Sequence, residues 1–279
     1  MLAVALPGSL ESGLLYVALA VYAGASLVGL RVLLGGRRTT GLATMLGVGT
    51  ASLALLLVLG AVRQGGIPLE HRQDLLLLCA LILSVGFFLV RRTVKHPVLG
   101  AIVAPTLALL VLAALLVAAR PPSHASAGRT AATTAHILLA VVSCSAFTLA
   151  AATGALYLLQ IRVLKRDPTS AVSRRFPPLE TLDRVNFLSV AIGFPFLLLS
   201  VAAGWAFVFR STRPAGEWLL DPTVLATGAG ALVYLGLFSA RAFLGWRGRR
   251  VAVLSLVGFA VVVVGFIVAS FCPAAVHGS

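Results

Sequence analysis

The sequence predicts an all-α, polytopic membrane protein with eight transmembrane helices and both termini outside. Three observations carry that reading. The 279-residue chain is 59% hydrophobic and only 11% charged, whereas a soluble domain carries about 25% charged residues. Eight apolar runs approach or reach the length that crosses hydrocarbon, about 20 residues at roughly 1.5 Å each. Lysine and arginine gather in every second gap between those runs, which is how basic residues orient spans.

The runs fall at 13–34, 42–62, 74–90, 99–119, 134–163, 185–209, 222–243 and 251–271. The first follows Glu11 and lacks a basic leader, so it reads as a span rather than a cleaved signal peptide. The second lies between Arg37/Arg38 and Arg63. The third is short but carries no charge after Asp74. Omitting it would put the Arg63/Arg72 gap and Arg91, Arg92 and Lys95 on one side and spoil the charge alternation. The fourth runs from Leu99 past Pro105, and the fifth is long enough to project beyond the bilayer. In the sixth, Pro195 is expected to kink the helix, and Gly193 and Gly204 to let a neighbouring backbone approach. The seventh follows the stretch GEWLLDPT, and Pro273 ends the eighth. The widest gap, 164–184, reads as a linker that is basic and then amphipathic. There Pro177 and Pro178 break the chain and can open a helix with Glu180 and Asp183 in its first turns. No soluble domain fits, so residues 1–279 read as one integral membrane domain.

The gaps after spans 1, 3, 5 and 7, with the adjoining span ends, hold 16 of the 22 Lys and Arg residues, and the alternate gaps hold Arg63, Arg72, Arg120, Arg129, Arg210 and Arg213. That split faces the basic gaps inward. It places His96 inside and His71, His124, His136, His277 and GEWLLDPT outside. A net charge of +14 would suggest nucleic acid in a soluble protein. Here basic residues punctuate apolar runs, so the partner they imply is membrane lipid, not nucleic acid.

Few residues offer chemistry. His136 opens span 5, where Thr133 or Thr134 could cap the helix. His277 lies six residues beyond the last span. Alone, the first reads as an interfacial polar group and the second as a chain-end residue. Together on the outer face they could supply two axial nitrogens to a haem iron. Trp205 and Trp218 fit an outer aromatic belt and Trp246 an inner one. Cys79, Cys144 and Cys272 form no CxxC or CxxCH, which gives no sign of a disulfide framework, zinc site or covalent haem attachment. No carboxylate or lysine is buried deep in a span, as a proton-coupled pump would require. No hydrolase, metalloprotease or P-loop motif occurs, so catalysis has no sequence support. The short set of polar groups within spans (Ser143, Ser145, Thr148, Thr153, Gln160 and Asn186) gives little lining for a solute transporter.

Several separated stretches resemble the cytochrome c assembly membrane proteins, the CcsA/ResC-type haem-handling proteins and their HemX-type relatives. The stretches are GGIPL (65–69) leading to Asp74 and Leu76, LGAIVAP (99–105), His136, PLETLDR (178–184), IGFP (192–195) with Gly204, GWRGRR (245–250) and the terminal His277-Gly278. The resemblance covers about residues 60–279. It implies a bacterial cytoplasmic-membrane protein that binds haem b non-covalently at its outer face. His136 and His277 would be axial ligands. Trp218 and Leu220 would pack the porphyrin, and Asp221 would cap or orient the loop entering span 7. The partners implied are lipid, haem, and either a cytochrome c synthase subunit or, for a HemX-type regulator of haem biosynthesis, glutamyl-tRNA reductase met through the 164–184 linker. The family's tryptophan-rich loop is reduced here. Leu220 stands in place of its second tryptophan, Thr223 and Val224 in place of a lysine and a glutamate, and Ser239 at the position of an inner histidine found in the synthases.

Overall fold

The computed structural model describes residues 9–34, 41–66, 69, 71–93, 97–118, 131–167, 176–208 and 222–271. The described residues form eight helices: α1 (Ser9–Leu34), α2 (Leu42–Gln64), α3 (Arg72–Thr93), α4 (Pro97–Ala118), α5 (Ala131–Arg166), α6 (Leu179–Val208), α7 (Pro222–Ala242) and α8 (Arg249–Phe271). Each corresponds to one apolar run. Six of them, α1 to α6, are long and apolar enough to cross a membrane. The chain divides into two compact units, one of Met1–Ala125 with Gln160–Pro178 and one of Ser126–Leu159 with Leu179–Ser279.

In the first unit α1 packs against α2 and α4, and α3 packs against α4 and α2. Leu15, Ala18, Tyr22, Ala25 and Val32 recur at helical spacing and form the buried stripe of α1. Leu27, Leu30, Leu109 and Leu116 face outward, as lipid-facing residues do in helices that are apolar all round. Glycine sets how closely these helices approach. A Cβ on Gly29 would lie 2.7 Å from the Ala101 backbone, and one on Gly49 would lie 2.6 Å from the Tyr22 ring. The hydroxyls of Thr50 and Ser84 hydrogen-bond to each other across α2 and α3. At one end of this unit an Arg63–Glu11 ion pair of 2.6 Å joins the end of α2 to the start of α1. There Gly65, at φ 66, closes α2 in the left-handed conformation, and the Gly66 N–H returns to the Ala61 carbonyl at 3.1 Å. The Gly-Gly pair that precedes Ile67-Pro68-Leu69 is therefore a helix stop.

The second unit is centred on Phe147, Ala150, Val190, Phe194, Leu197, Tyr234, Leu237 and Val251. The Phe147 and Tyr234 rings stack at 3.4 Å and 7°. Gly193 makes room for that stack, because a Cβ there would lie 2.8 Å from the Phe147 ring. Asn186 donates to the Ala150 carbonyl at 2.6 Å and accepts from Ser255 Oγ at 3.0 Å. One buried amide thus joins α5, α6 and α8 with both ends satisfied.

Two local expectations are corrected. The 164–184 linker is shorter at both ends, since α5 runs to Arg166 and α6 begins at Leu179. As expected, Pro177 and Pro178 sit just before α6, and Glu180 and Asp183 lie in its opening turns. Helix α5 begins at Ala131, so Thr133 and Thr134 lie in its first turn and not at its cap. Alanines 131 and 132, strong helix formers, begin the helix two residues earlier. Pro195 lies inside α6.

Candidate functional site

His136 lies in the second turn of α5, against α6. Its Nδ1 is 2.7 Å from the Ser200 backbone carbonyl. A carbonyl only accepts, so Nδ1 carries the proton, and in the neutral ring Nε2 keeps its lone pair. Ser200 Oγ donates to the His136 carbonyl at 3.1 Å and lies 3.2 Å from Nδ1. Gly204, one turn further along α6, forms the floor beneath the ring; a Cβ there would lie 3.1 Å from Cε1 and 3.2 Å from Nδ1. Trp205, next to it, is partly exposed. This donor set suits an iron ligand. Metal-binding histidines generally donate their second ring N–H to a carbonyl or carboxylate, and His136 does so.

The opposite end of the same unit holds a second polar cluster. Asp183 Oδ2 accepts from Arg241 Nη2 at 2.5 Å, and Oδ1 accepts from the Gly248 backbone N–H at 2.8 Å. Arg241 Nη1 donates to the Trp246 carbonyl at 3.0 Å, and its guanidinium lies over the Phe187 ring at 5.1 Å. Both charged side chains are nearly buried, at 12% and 13% exposure. Gly245 (φ 65) and Gly248 (φ 73) take the left-handed conformation in this turn, which explains both glycines of Gly245-Trp246-Arg247-Gly248. Arg250 lies 5.4 Å above the Trp246 ring. The sequence stretches PLETLDR and GWRGRR are thus one structural feature.

Of the residues singled out as a haem site, only His136 is described. His277, Trp218, Leu220 and Asp221 lie outside the described residues. Sequence reasoning missed Ser200, and it counted Asp183 and Arg241 only as a first-turn acid and an inside charge. A stripe of Gly193, Leu197, Ser200 and Gly204 on one face of α6 was the available signal for Ser200. Of the polar groups noted within spans, Ser145, Thr148 and Thr153 bond back to carbonyls of their own helix.

A sequence model of the cytochrome c assembly protein family matches residues 69–277. Among curated proteins, the chain is 34% identical over 96 residues to a cytochrome c biogenesis protein CcsA of Trichormus variabilis, covering 34% of this chain and 27% of that one. It is 26% identical over 157 residues to CcsA of Guillardia theta, 51% of this chain and 52% of the other. It is 35% identical over 100 residues to protein HemX of Brevibacillus brevis, 36% of each. The matched segments thus span between about a quarter and half of these relatives' lengths. No solved structure matches.

Proposed function

The chain belongs to the cytochrome c assembly protein family, and from that premise we propose that it is a haem-binding membrane protein that holds haem b non-covalently at the outer face of a bacterial cytoplasmic membrane. In this reading residues 1–279 form one integral membrane domain of eight spans with both termini outside. The observation that carries the haem reading is the His136 ring, which the Ser200 carbonyl pins through Nδ1, leaving Nε2 as the lone-pair nitrogen of the neutral ring. His277 supplies the second nitrogen. Trp218 and Leu220 cover the porphyrin, and Asp221 orients the loop that enters α7. The bound iron centre would contribute ligand exchange and redox chemistry; the chain's own work is to orient an imidazole and exclude water.

The test is a visible spectrum of the purified protein in nanodiscs after addition of haem. A Soret band shifted from that of free haem is expected, and the His136→Ala/His277→Ala double variant is expected to lose it. A band indifferent to both substitutions refutes the reading. Topology is tested separately by labelling single cysteines with a membrane-impermeant maleimide. A cysteine at position 124 should react from outside in intact cells and one at 247 only after permeabilisation; the reverse pattern sinks the proposed orientation.

The HemX similarity and the reduced loop, with Leu220 and Ser239 in place of a tryptophan and a histidine, favour a second reading. In it the protein binds haem and restrains a cytosolic haem-biosynthesis enzyme, glutamyl-tRNA reductase, through residues 164–184. Mixing the purified enzyme with the nanodisc-embedded protein should then give a haem-dependent complex. Equal failure to bind with and without haem removes this reading and leaves the first.

A further inference from the structure

We propose that Ser200 and Gly204 are positioning residues for His136, forming a seat on α6 that fixes the tautomer and plane of the ring so that Nε2 alone is offered to an iron; this rests on the haem reading above. The hydrogen-bond inventory of the seat closes without remainder. The Ser200 carbonyl takes the Nδ1 proton at 2.7 Å. The Ser200 hydroxyl spends its one proton on the His136 carbonyl at 3.1 Å. Its lone pairs are therefore what faces Nδ1 at 3.2 Å, and they reinforce the same tautomer. Flipping the ring would set a C–H against the carbonyl and break this bond, so the ring has one orientation. Ser200 also ties the α5 backbone to α6 at the ligand's own residue, which limits how far His136 can shift.

Gly204 completes the seat by absence. Any side chain there would begin 3.1 Å from Cε1 and 3.2 Å from Nδ1, closer than most Cβ contacts, and would press on the ring face. The imidazole would have to tilt away from the carbonyl. An N–H···O=C bond also makes the opposite nitrogen a stronger donor, and losing such partners commonly costs about 10–100-fold in metal affinity.

Two measurements test the seat. The first needs no haem: ¹⁵N-histidine NMR of the full-length protein in nanodiscs, with the His136 signals assigned by their loss in His136→Ala. A protonated Nδ1 and a lone-pair Nε2 are expected. A protonated Nε2 in the wild type overturns the seat whatever the protein does with haem. The second compares haem-loaded wild type, Ser200→Ala, Ser200→Thr and Gly204→Ala. Ser200→Ala keeps the backbone carbonyl that takes the Nδ1 proton and removes only the hydroxyl tie to the His136 carbonyl. It should therefore weaken haem binding by less than the roughly tenfold expected when the carbonyl bond itself is lost and raise the iron's reduction potential slightly. Gly204→Ala should weaken binding more, and Ser200→Thr, which keeps the hydroxyl, should stay near wild type. A purely structural role would lower thermal stability and leave the potential unmoved, and that result overturns the proposal. If the wild type gains no Soret band, or if His136→Ala leaves the band unchanged, the haem reading falls and the iron-facing part of this proposal with it. The NMR result shows separately whether the seat itself exists.

Discussion

Asp183→Ala is expected to lower folding stability by about 3–5 kcal/mol, the usual cost of removing one partner of a buried ion pair. The carboxylate has two separate tasks. One oxygen balances Arg241 at 2.5 Å, and the other accepts from the Gly248 N–H at 2.8 Å. Alanine leaves a nearly buried guanidinium without a counter-ion and a backbone donor without an acceptor. Among the described residues, Arg241 would keep its bond to the Trp246 carbonyl and its position over Phe187. The start of α6, the end of α7 and the turn before α8 would lose their shared anchor. Asp183→Asn can still accept from Gly248 and should cost less than alanine. Removing both charges in Asp183→Ala/Arg241→Ala should recover part of the loss, because most of the single-variant cost is the stranded charge rather than the missing bond. Thermal and denaturant unfolding in detergent measure this. A loss below about 1 kcal/mol for Asp183→Ala would mean that water reaches the pair freely and that it behaves as a surface salt bridge.

Gly29→Val is expected to cost about 3 kcal/mol, the upper end of what overpacking typically costs. A Cβ at residue 29 would lie 2.7 Å from the Ala101 Cα and 2.9 Å from its Cβ. The colliding atoms are backbone or fixed to it, so no rotamer change relieves the contact and α1 must part from α4. Gly24 on the same helix is the control. A Cβ there meets only the terminal methyl of Met45, at 3.1 Å, which can swing aside, so Gly24→Ala should be near neutral. Close helix approach at small residues is the usual source of association in lipid. A Gly29→Val protein as stable as wild type would show that this crossing contributes little.

These two predictions concern contacts that the amino-acid pattern only hinted at. Gly29 drew no particular notice as a residue, because a glycine in an apolar run looks the same whether it meets a backbone or open lipid. Gly193 and Gly204 were read as packing glycines, and both are; what they pack against, the Phe147 ring and the His136 ring, came only from the fold. The expected cap at Thr133 or Thr134 failed because capping preference is local, while the helix could begin earlier, through two alanines. The helix start after Pro177-Pro178, with Glu180 and Asp183 in its opening turns, was legible; the partner of Asp183 was not, because Arg241 lies 58 residues away.

The sequence by itself determined that this chain is built of long apolar helices, roughly where each begins and ends, and which gaps carry the positive charge. Those properties follow from run length and charge, which are local and survive without knowledge of neighbours. It also carried the family membership through short stretches whose order matters more than any one of them. Only the tertiary structure decided which polar groups meet. Ser200 reaches His136 across 64 positions, Asp183 reaches Gly248 across 65, and Asn186 reaches Ser255 across 69. Each pairing depends on the register between two packed helices. That register is set by where glycine lets backbones close and where Phe147 and Tyr234 stack, and no single helix encodes it.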